Sequence, residues 1–215
     1  MRRPWVRLFT ILLAVGFVYV ILVGLGLTGR KHGKAPKRVQ ELNDFEDPAA
    51  DLQWATGGYV TMETSTENQT HGKRAAHAVF LLHDQFFPTP TPGAEWKPSI
   101  KLSHQSVTSL TQFDWTGWDT LNLDVFNPGE APVSAILTVT DAKGFRFEAP
   151  LVFEPKKVTN AAVSLSLAKK ERLDLSSVDS LSLQPDVLNA KEPVELYLDY
   201  LRLEGDPIIP VKKKK

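Results

Sequence analysis

The sequence predicts an all-β fold, an antiparallel β-sandwich, with one transmembrane helix before it. About ten short segments between residues 44 and 204 alternate apolar with polar or charged residues, which is the period of a strand with one buried face. Turn-forming residues separate these segments, and no long helical period appears between them. Short alternating strands at this spacing predict two antiparallel sheets packed face to face.

The clearest strand lies near the middle of the chain, within FDWTGWDTLNLDVFNP, residues 113–128. Leu121, Leu123 and Val125 keep one parity, so we expect a central strand with these three side chains in the core. The residues before it predict a turn that carries a large aromatic side chain. The Asn-Pro-Gly sequence after it ends the strand.

The same alternation predicts the other strands. In chain order, the predicted strands are residues 43–47, 51–54, 59–63, 73–82, 100–103, 120–126, 134–140, 145–153, 159–167, 180–183 and 195–203. Residues 167–174 predict a helical turn. The proline-rich residues 86–98 cannot pair as a central strand, so we expect a long loop there, and such loops often carry recognition.

Composition narrows the classes of function. Lysine and arginine number 25, as do aspartate and glutamate, so the charge balance offers no case for a nucleic-acid partner. The absence of cysteine excludes disulfides, thiolate metal sites and a cysteine nucleophile. The predicted organisation is a basic N-terminus (1–7), a transmembrane signal anchor (8–28), a basic linker (29–42), a β-sandwich domain (43–205) and a polybasic tail (206–215).

The membrane segment is predicted from residues 8–27, which contain no charged side chain and would form a helix roughly 30 Å long, matching the bilayer core. No small-residue cleavage pattern follows, so we expect an uncleaved anchor rather than a signal peptide. More basic residues follow the span than precede it, which favours a cytoplasmic domain. Long domains after a signal anchor cross with limited regard to charge, however, so we expect the domain to be extracytoplasmic.

Three short motifs carry a family resemblance. The domain opens with Asp-Phe-Glu-Asp at residues 44–47, contains Asp-Trp-Thr-Gly-Trp-Asp at 114–119, and closes with Tyr-Leu-Asp-Tyr-Leu-Arg-Leu-Glu at 197–204. Together with Gly-Lys-Arg-Ala at 72–75, they resemble the jelly-roll carbohydrate-binding modules with a galactose-binding-like fold. The resemblance spans residues 43–205. It implies non-catalytic binding of a poly- or oligosaccharide at the cell surface or in the periplasm.

Asp199 is unusual because it is a carboxylate between Leu198 and Tyr200 in an otherwise apolar strand. A buried carboxylate needs a cation, a basic partner or backbone donors, since burying it alone costs several kcal/mol. The resemblance implies a structural calcium ion between the first and last strands. Its ligands here would be Glu46 and Asp199, with Asp44 or Asp47 as a weaker candidate. The alternative is that Asp199 pairs with a basic side chain such as Arg202 or caps a loop.

Sugar rings present apolar C–H faces beside their hydroxyls, so a binding site needs an aromatic platform next to polar side chains. The candidates for this platform are Trp54, Tyr59, Phe87 and Trp96. Trp96 is ranked first because it lies in the proline-rich loop. Trp115 and Trp118 match positions that the resemblance places in the core.

The sequence also bears on metal sites, enzyme motifs and other classes of function. His71, His77 and His83 recur every six residues, but intervening turns argue against a shared metal site. No paired carboxylates, phosphate loop, Gly-x-Ser-x-Gly or His-Glu-x-x-His motif predicts an enzyme. The main alternative is a structural β-sandwich that mediates protein assembly without glycan binding, and a third is a small glycan-active hydrolase.

Overall fold

Strands account for most of the residues that the structure describes. The computed structural model describes residues 37–47, 54–57, 59–82, 97–103, 114–187 and 190–207, within which lie eleven strands and one helix. They are β1 (Arg38–Asn43), β2 (Trp54–Gly57), β3 (Val60–Ser65), β4 (Ala75–Phe80), β5 (Ser99–Ser103), β6 (Thr120–Asn127), β7 (Val133–Asp141), β8 (Arg146–Phe153), β9 (Lys157–Ser164), α1 (Leu165–Lys170), β10 (Val178–Pro185) and β11 (Val194–Gly205).

The strands form two antiparallel sheets. The six-stranded sheet has the order β3-β4-β11-β6-β9, with β1 also paired to β11, and the five-stranded sheet has the order β2-β5-β10-β7-β8. The predicted all-β antiparallel sandwich is therefore confirmed. Strand β6 lies inside the six-stranded sheet between β11 and β9, as its pattern predicts.

The core fills the space between the two sheets. Leu121, Leu123 and Val125 of β6 are at most 1% exposed, so the predicted parity is correct. Trp115 is buried at one end of the sandwich, and its backbone N–H donates to Leu175 O at 2.7 Å. Each large apolar side chain that is fully buried contributes about 1.5–3 kcal/mol to the free energy of unfolding. The core is therefore the main source of the domain's stability.

The first and last strands are neighbours. Strand β1 pairs antiparallel with β11, from Arg38 opposite Gly205 to Asn43 opposite Leu201. The strand begins at Arg38, so residues 38–42 belong to the sandwich and not to the predicted linker. Only Leu42 and Asn43 of the six residues are buried, and charged residues occupy two of the other positions. The sequence therefore shows no apolar alternation in this strand. Long-range pairing with β11, rather than a local pattern, orders this segment.

The helical elements are minor. Helix α1 begins two residues before the predicted helical turn, after Ser164, whose Oγ accepts a hydrogen bond from Leu167 N. Over the described part of the chain, no helix is long and apolar enough to span a bilayer. The predicted anchor at residues 8–28 and nearly all of the predicted tail at 206–215 lie outside the described residues, so both stay predictions.

Candidate functional site

Two carboxylates from opposite ends of the domain hold one turn, residues 70–74. Asp199 Oδ2 accepts hydrogen bonds from Thr70 N at 2.6 Å, His71 N at 2.7 Å and Thr70 Oγ1 at 3.0 Å. Glu46 Oε1 accepts hydrogen bonds from Lys73 N and, at 2.8 Å, from Arg74 N. Residues that are far apart in the sequence are thereby joined through a shared turn.

The backbone of β11 is irregular at Asp199. The register with β6 shifts between Asp199 and Arg202, and Tyr200 has a φ of 47°. Tyr200 N donates to Asp199 Oδ1 at 2.7 Å, so this bulge turns the carboxylate toward its donors. Asp199 is 1% exposed, and burial raises the pKa of its carboxyl while the N–H donors of His71 and Thr70 oppose that rise.

The carboxyl oxygens of Asp44, Glu46 and Asp199 are of the kind that binds calcium. Asp44 Oδ1 accepts from Glu46 N at 3.1 Å, and burial together with the nearby Asp44 carboxylate raises the pKa of Glu41. Carboxyl oxygens are hard ligands of the kind that calcium prefers, and Asp199 is the buried one among these carboxylates. In the described ranges no group of three or more His, Cys, Asp or Glu side chains converges on one point, and loop capping accounts for the present contacts of Asp199. The calcium site stays a prediction.

The predicted platform residues fall in different places. Trp54 is 5% exposed and packs in the core, with its ring centroid 6.0 Å from that of Phe45. This placement does not suit a sugar platform, because a platform ring must face solvent. The alternation of apolar and polar residues in β2 did not reveal which of its faces is buried. Tyr59 is 45% exposed, and its carbonyl oxygen accepts from Leu81 N at 3.1 Å. Phe87 and Trp96 lie outside the described residues.

A depression crosses the outer face of the five-stranded sheet, and we call it the sheet-face groove. Its volume is about 390 Å³, and its lining includes Lys97, Ile136, Pro150, Val152 and Gln184. The register places Gln184, Ile136 and Pro150 side by side on β10, β7 and β8. Lys97, the residue that follows Trp96 in the sequence, lies at this groove.

The next row of the same face is polar. Lys101, Ser182, Thr138 and Glu148 are opposite one another on β5, β10, β7 and β8. The face therefore combines an aliphatic strip with hydroxyl, amide and charged groups that can hydrogen-bond to a polyhydroxylated ligand.

The sequence interpretation missed this groove. Its only local signal is an apolar residue on the exposed parity of a strand: Ile136 in β7 and Val152 in β8 face outward between buried neighbours and are 39% and 51% exposed. A single outward apolar residue is common, so the groove becomes visible only when the pairing of β7, β8 and β10 is known.

Comparisons with known proteins identify the fold. No family model and no curated protein matches the chain. The family 11 carbohydrate-binding module from Clostridium thermocellum, solved in complex with a β-1,3-1,4-mixed-linked tetrasaccharide, is similar with a TM-score of 0.54 and 13% identity, over 80% of this chain and 98% of that one. An exo-β-agarase gives 0.58 and 16% identity, over 78% of this chain but 25% of that one. At these identities the likeness concerns architecture, and the chain has the jelly-roll fold of carbohydrate-binding modules.

Proposed function

We propose that this chain is a membrane-anchored, non-catalytic carbohydrate-binding module that recognises a poly- or oligosaccharide at the cell surface or in the periplasm. The observation that carries the proposal is the shared jelly roll, which covers 98% of a module solved with a bound tetrasaccharide. Function is inferred here from fold and surface chemistry together, because a fold alone hosts many functions.

The sheet-face groove supplies the chemistry that the proposal needs. Ile136 and Val152 offer apolar contact to the C–H face of a sugar ring, and Gln184 offers both a hydrogen-bond donor and an acceptor to hydroxyls. We assign the aromatic contribution to Tyr59, which is 45% exposed, and to Phe87 and Trp96, which stay predicted platform residues outside the described part of the chain.

The test is a glycan array followed by calorimetry with the full chain, in a detergent without a sugar headgroup. We expect Ile136→Ala and Gln184→Ala each to weaken binding about tenfold, a loss of about 1.4 kcal/mol. Val158→Ala is the matched control, because Val158 is similarly exposed at 45% but lies on β9 of the other sheet. A wild-type chain that binds no glycan would rule out the proposal. Unchanged affinity in both groove variants would mean that the sugar does not bind in the sheet-face groove.

One observation favours a second candidate function, a structural β-sandwich that mediates protein assembly. The described part of the groove is lined by aliphatic rather than aromatic side chains, including Ile136, Pro150 and Val152. An exposed aliphatic strip also fits a protein partner. A chain that binds no glycan but self-associates in sedimentation, with Ile136→Asp abolishing the association, would favour this candidate.

We assign the anchor to residues 8–28 and place the domain outside the cytoplasm, where glycans are available. The support is the uncharged segment itself, which is long enough to cross a bilayer. Protease treatment of intact cells checks the orientation: a domain that is protected until the cells are lysed would contradict it.

We also assign a structural calcium ion to Glu46 and Asp199, with Asp44 as a further ligand. The support is the convergence of Glu46 and Asp199 on the turn 70–74 and the burial of Asp199. When bound, such an ion would neutralise buried carboxylates and join the two ends of the domain.

A further inference from the structure

A second depression lies beside the sheet-face groove, and we call it the end cavity. Its volume is about 840 Å³, and it lies between the connection from β6 to β7 and the approach to β11. Residues 127–134 line one side, and residues 190–195 line the other. This volume is large enough for a drug-sized ligand or several sugar rings.

The end cavity and the sheet-face groove are continuous. Ser134 and Asp186 line both of them. Asp186 N donates to Ser134 O at 2.8 Å, so the strip of backbone that joins the two depressions is hydrogen-bonded across β7 and β10. A ligand that lies along the sheet face therefore reaches the edge of the end cavity at Ser134 and Asp186.

One wall of the end cavity has a fixed shape. The buried Asn127 donates from Nδ2 to Ala131 O at 2.9 Å and to Phe153 O at 3.0 Å, and its Oδ1 accepts from Gly129 N at 2.9 Å. Lys156 Nζ donates to Pro128 O at 2.5 Å. A wall that is ordered before the ligand arrives lowers the entropy cost of binding.

The lining of the end cavity is acidic and interrupted by proline. It contains the carboxylates of Glu130, Asp186, Glu192 and Glu195 and the basic side chain of Lys191, while Lys156 beside the wall pairs with Glu130 at 3.0 Å, which leaves carboxylates in excess. Carboxylates accept hydrogen bonds from ligand hydroxyls and repel ligand carboxylates or sulfates. Pro128, Pro132 and Pro193 add C–H surface against which a sugar ring can pack.

From this continuity, fixed shape and charge, we propose that the end cavity is a second subsite for the same glycan chain, and that the ligand is a linear, uncharged oligosaccharide. The proposal rests on the proposed carbohydrate-binding function. It adds that affinity depends on chain length and that anionic glycans are excluded.

The experiment measures affinity against chain length by calorimetry, with the full chain and a series of mixed-linked β-glucan oligosaccharides. We expect a hexasaccharide to bind about tenfold more tightly than a disaccharide, because only the longer chain reaches both depressions. Ala131→Trp should fill the end cavity and remove this gain while leaving disaccharide binding unchanged. Ala162→Trp is the matched control, an exposed alanine on β9 of the other sheet.

A second measurement tests the charge of the ligand. An oligogalacturonate of the same length as the neutral hexasaccharide should bind at least about tenfold more weakly, and added salt should narrow the difference by screening. Glu192→Lys should also narrow the difference in affinity between the anionic and the neutral oligosaccharide. This variant also tests the cavity if Ala131→Trp fails to fold, which circular dichroism would reveal.

The outcomes separate the two proposals. Equal affinity for short and long oligosaccharides, with no effect of Ala131→Trp or Glu192→Lys, overturns the second subsite and leaves carbohydrate binding in place. Tighter binding of the anionic series overturns the uncharged class of ligand. No binding in either series or on the glycan array overturns the proposed function, and the second subsite with it.

Discussion

Asp141 illustrates how a single buried carboxylate connects two loops. Its Oδ1 accepts from Lys143 N at 2.8 Å and Phe145 N at 3.0 Å, and its Oδ2 accepts from Asp174 N at 3.0 Å. Burial alone would raise the pKa of Asp141, but the three N–H donors outweigh it and hold the pKa below its ordinary value. The ionised form is therefore the one that stabilises the fold.

We expect Asp141→Asn to lower the free energy of unfolding by about 2 kcal/mol at neutral pH, because the amide cannot accept from all three donors. Since the folded pKa lies below the unfolded value, the contribution of the carboxylate is fully present above an ordinary pKa of about 4. It is lost as the pH falls through the lower folded pKa. Urea unfolding across this range should show the gap between wild type and variant closing in acid.

Asp179→Asn on β10 of the same sheet is the control, since among the described residues no backbone N–H donates to this carboxylate. A gap that stays constant with pH, or appears equally in Asp179→Asn, would contradict the role assigned to Asp141.

At the level of single residues, the sequence was informative about charge and less so about aromatic rings. The isolated Asp199 correctly indicated a buried carboxylate that needs donors, because the cost of burying charge is large and local. The sequence did not distinguish the buried Trp54 from the exposed Tyr59, since either ring can be buried or exposed at the end of a strand. Only the packing against Phe45 places Trp54 inside.

Strand β11 is the element that connects most of the six-stranded sheet. Its first half pairs with β4 and its second half with β1 along the same edge, while β6 lies along the other edge. The turn at residues 70–74 packs at the junction, where the bulge at Tyr200 interrupts the ladder. Gly72 in this turn has a φ of 65°, and a methyl group there would collide with the Glu46 carboxylate.

We expect Gly72→Ala to lower the free energy of unfolding by about 2–3 kcal/mol, because it adds displacement of Glu46 to the strain of a left-handed alanine. Gly144→Ala is the matched control, with a φ of 85° and nothing within 4 Å of the added carbon, and should cost only about 1 kcal/mol. Chemical denaturation of both variants measures the difference.

A double-mutant cycle shows whether Glu46 is the cause. In a Glu46→Ala background the extra cost of Gly72→Ala should disappear, leaving only the strain that Gly144→Ala also pays. Equal costs for the two glycine variants in the wild-type background would mean that Glu46 does not restrain the turn.

Elements with a strong local pattern were predictable, and elements ordered by distant partners were not. The alternation of β6 gave both its position and its buried face. Strand β1 carries charged residues on an exposed edge, so its local pattern is weak, and pairing with β11 at the far end of the sequence is what orders it.

The first and last strands of the described sandwich pair with each other, and Glu46 and Asp199 hold one turn beside them, so the proposed calcium ion would stabilise the domain as a whole. We expect calcium to raise the midpoint of thermal unfolding by about 5 °C or more and a chelator to reverse the rise, since an ion that binds only the folded state stabilises it. Glu46→Gln should abolish the response, and Asp179→Asn should retain it. A midpoint that neither calcium nor chelator moves would remove the site.

The class of fold was predictable at this scale, and the groove was not. Alternation and turn spacing suffice to predict two antiparallel sheets, because each strand reports its own buried face. The sheet-face groove combines residues from β7, β8 and β10, which are adjacent only because of the order of strands in the sheet. No local pattern encodes that order.

The pairing of Arg38 with Gly205 also determines how the module can be joined to other chains. Arg38 Nε donates to Asp206 O at 3.1 Å, so the polypeptide enters and leaves the sandwich at one corner. A module of this kind can be grafted as an insert into a surface loop of a host protein with minimal spacers.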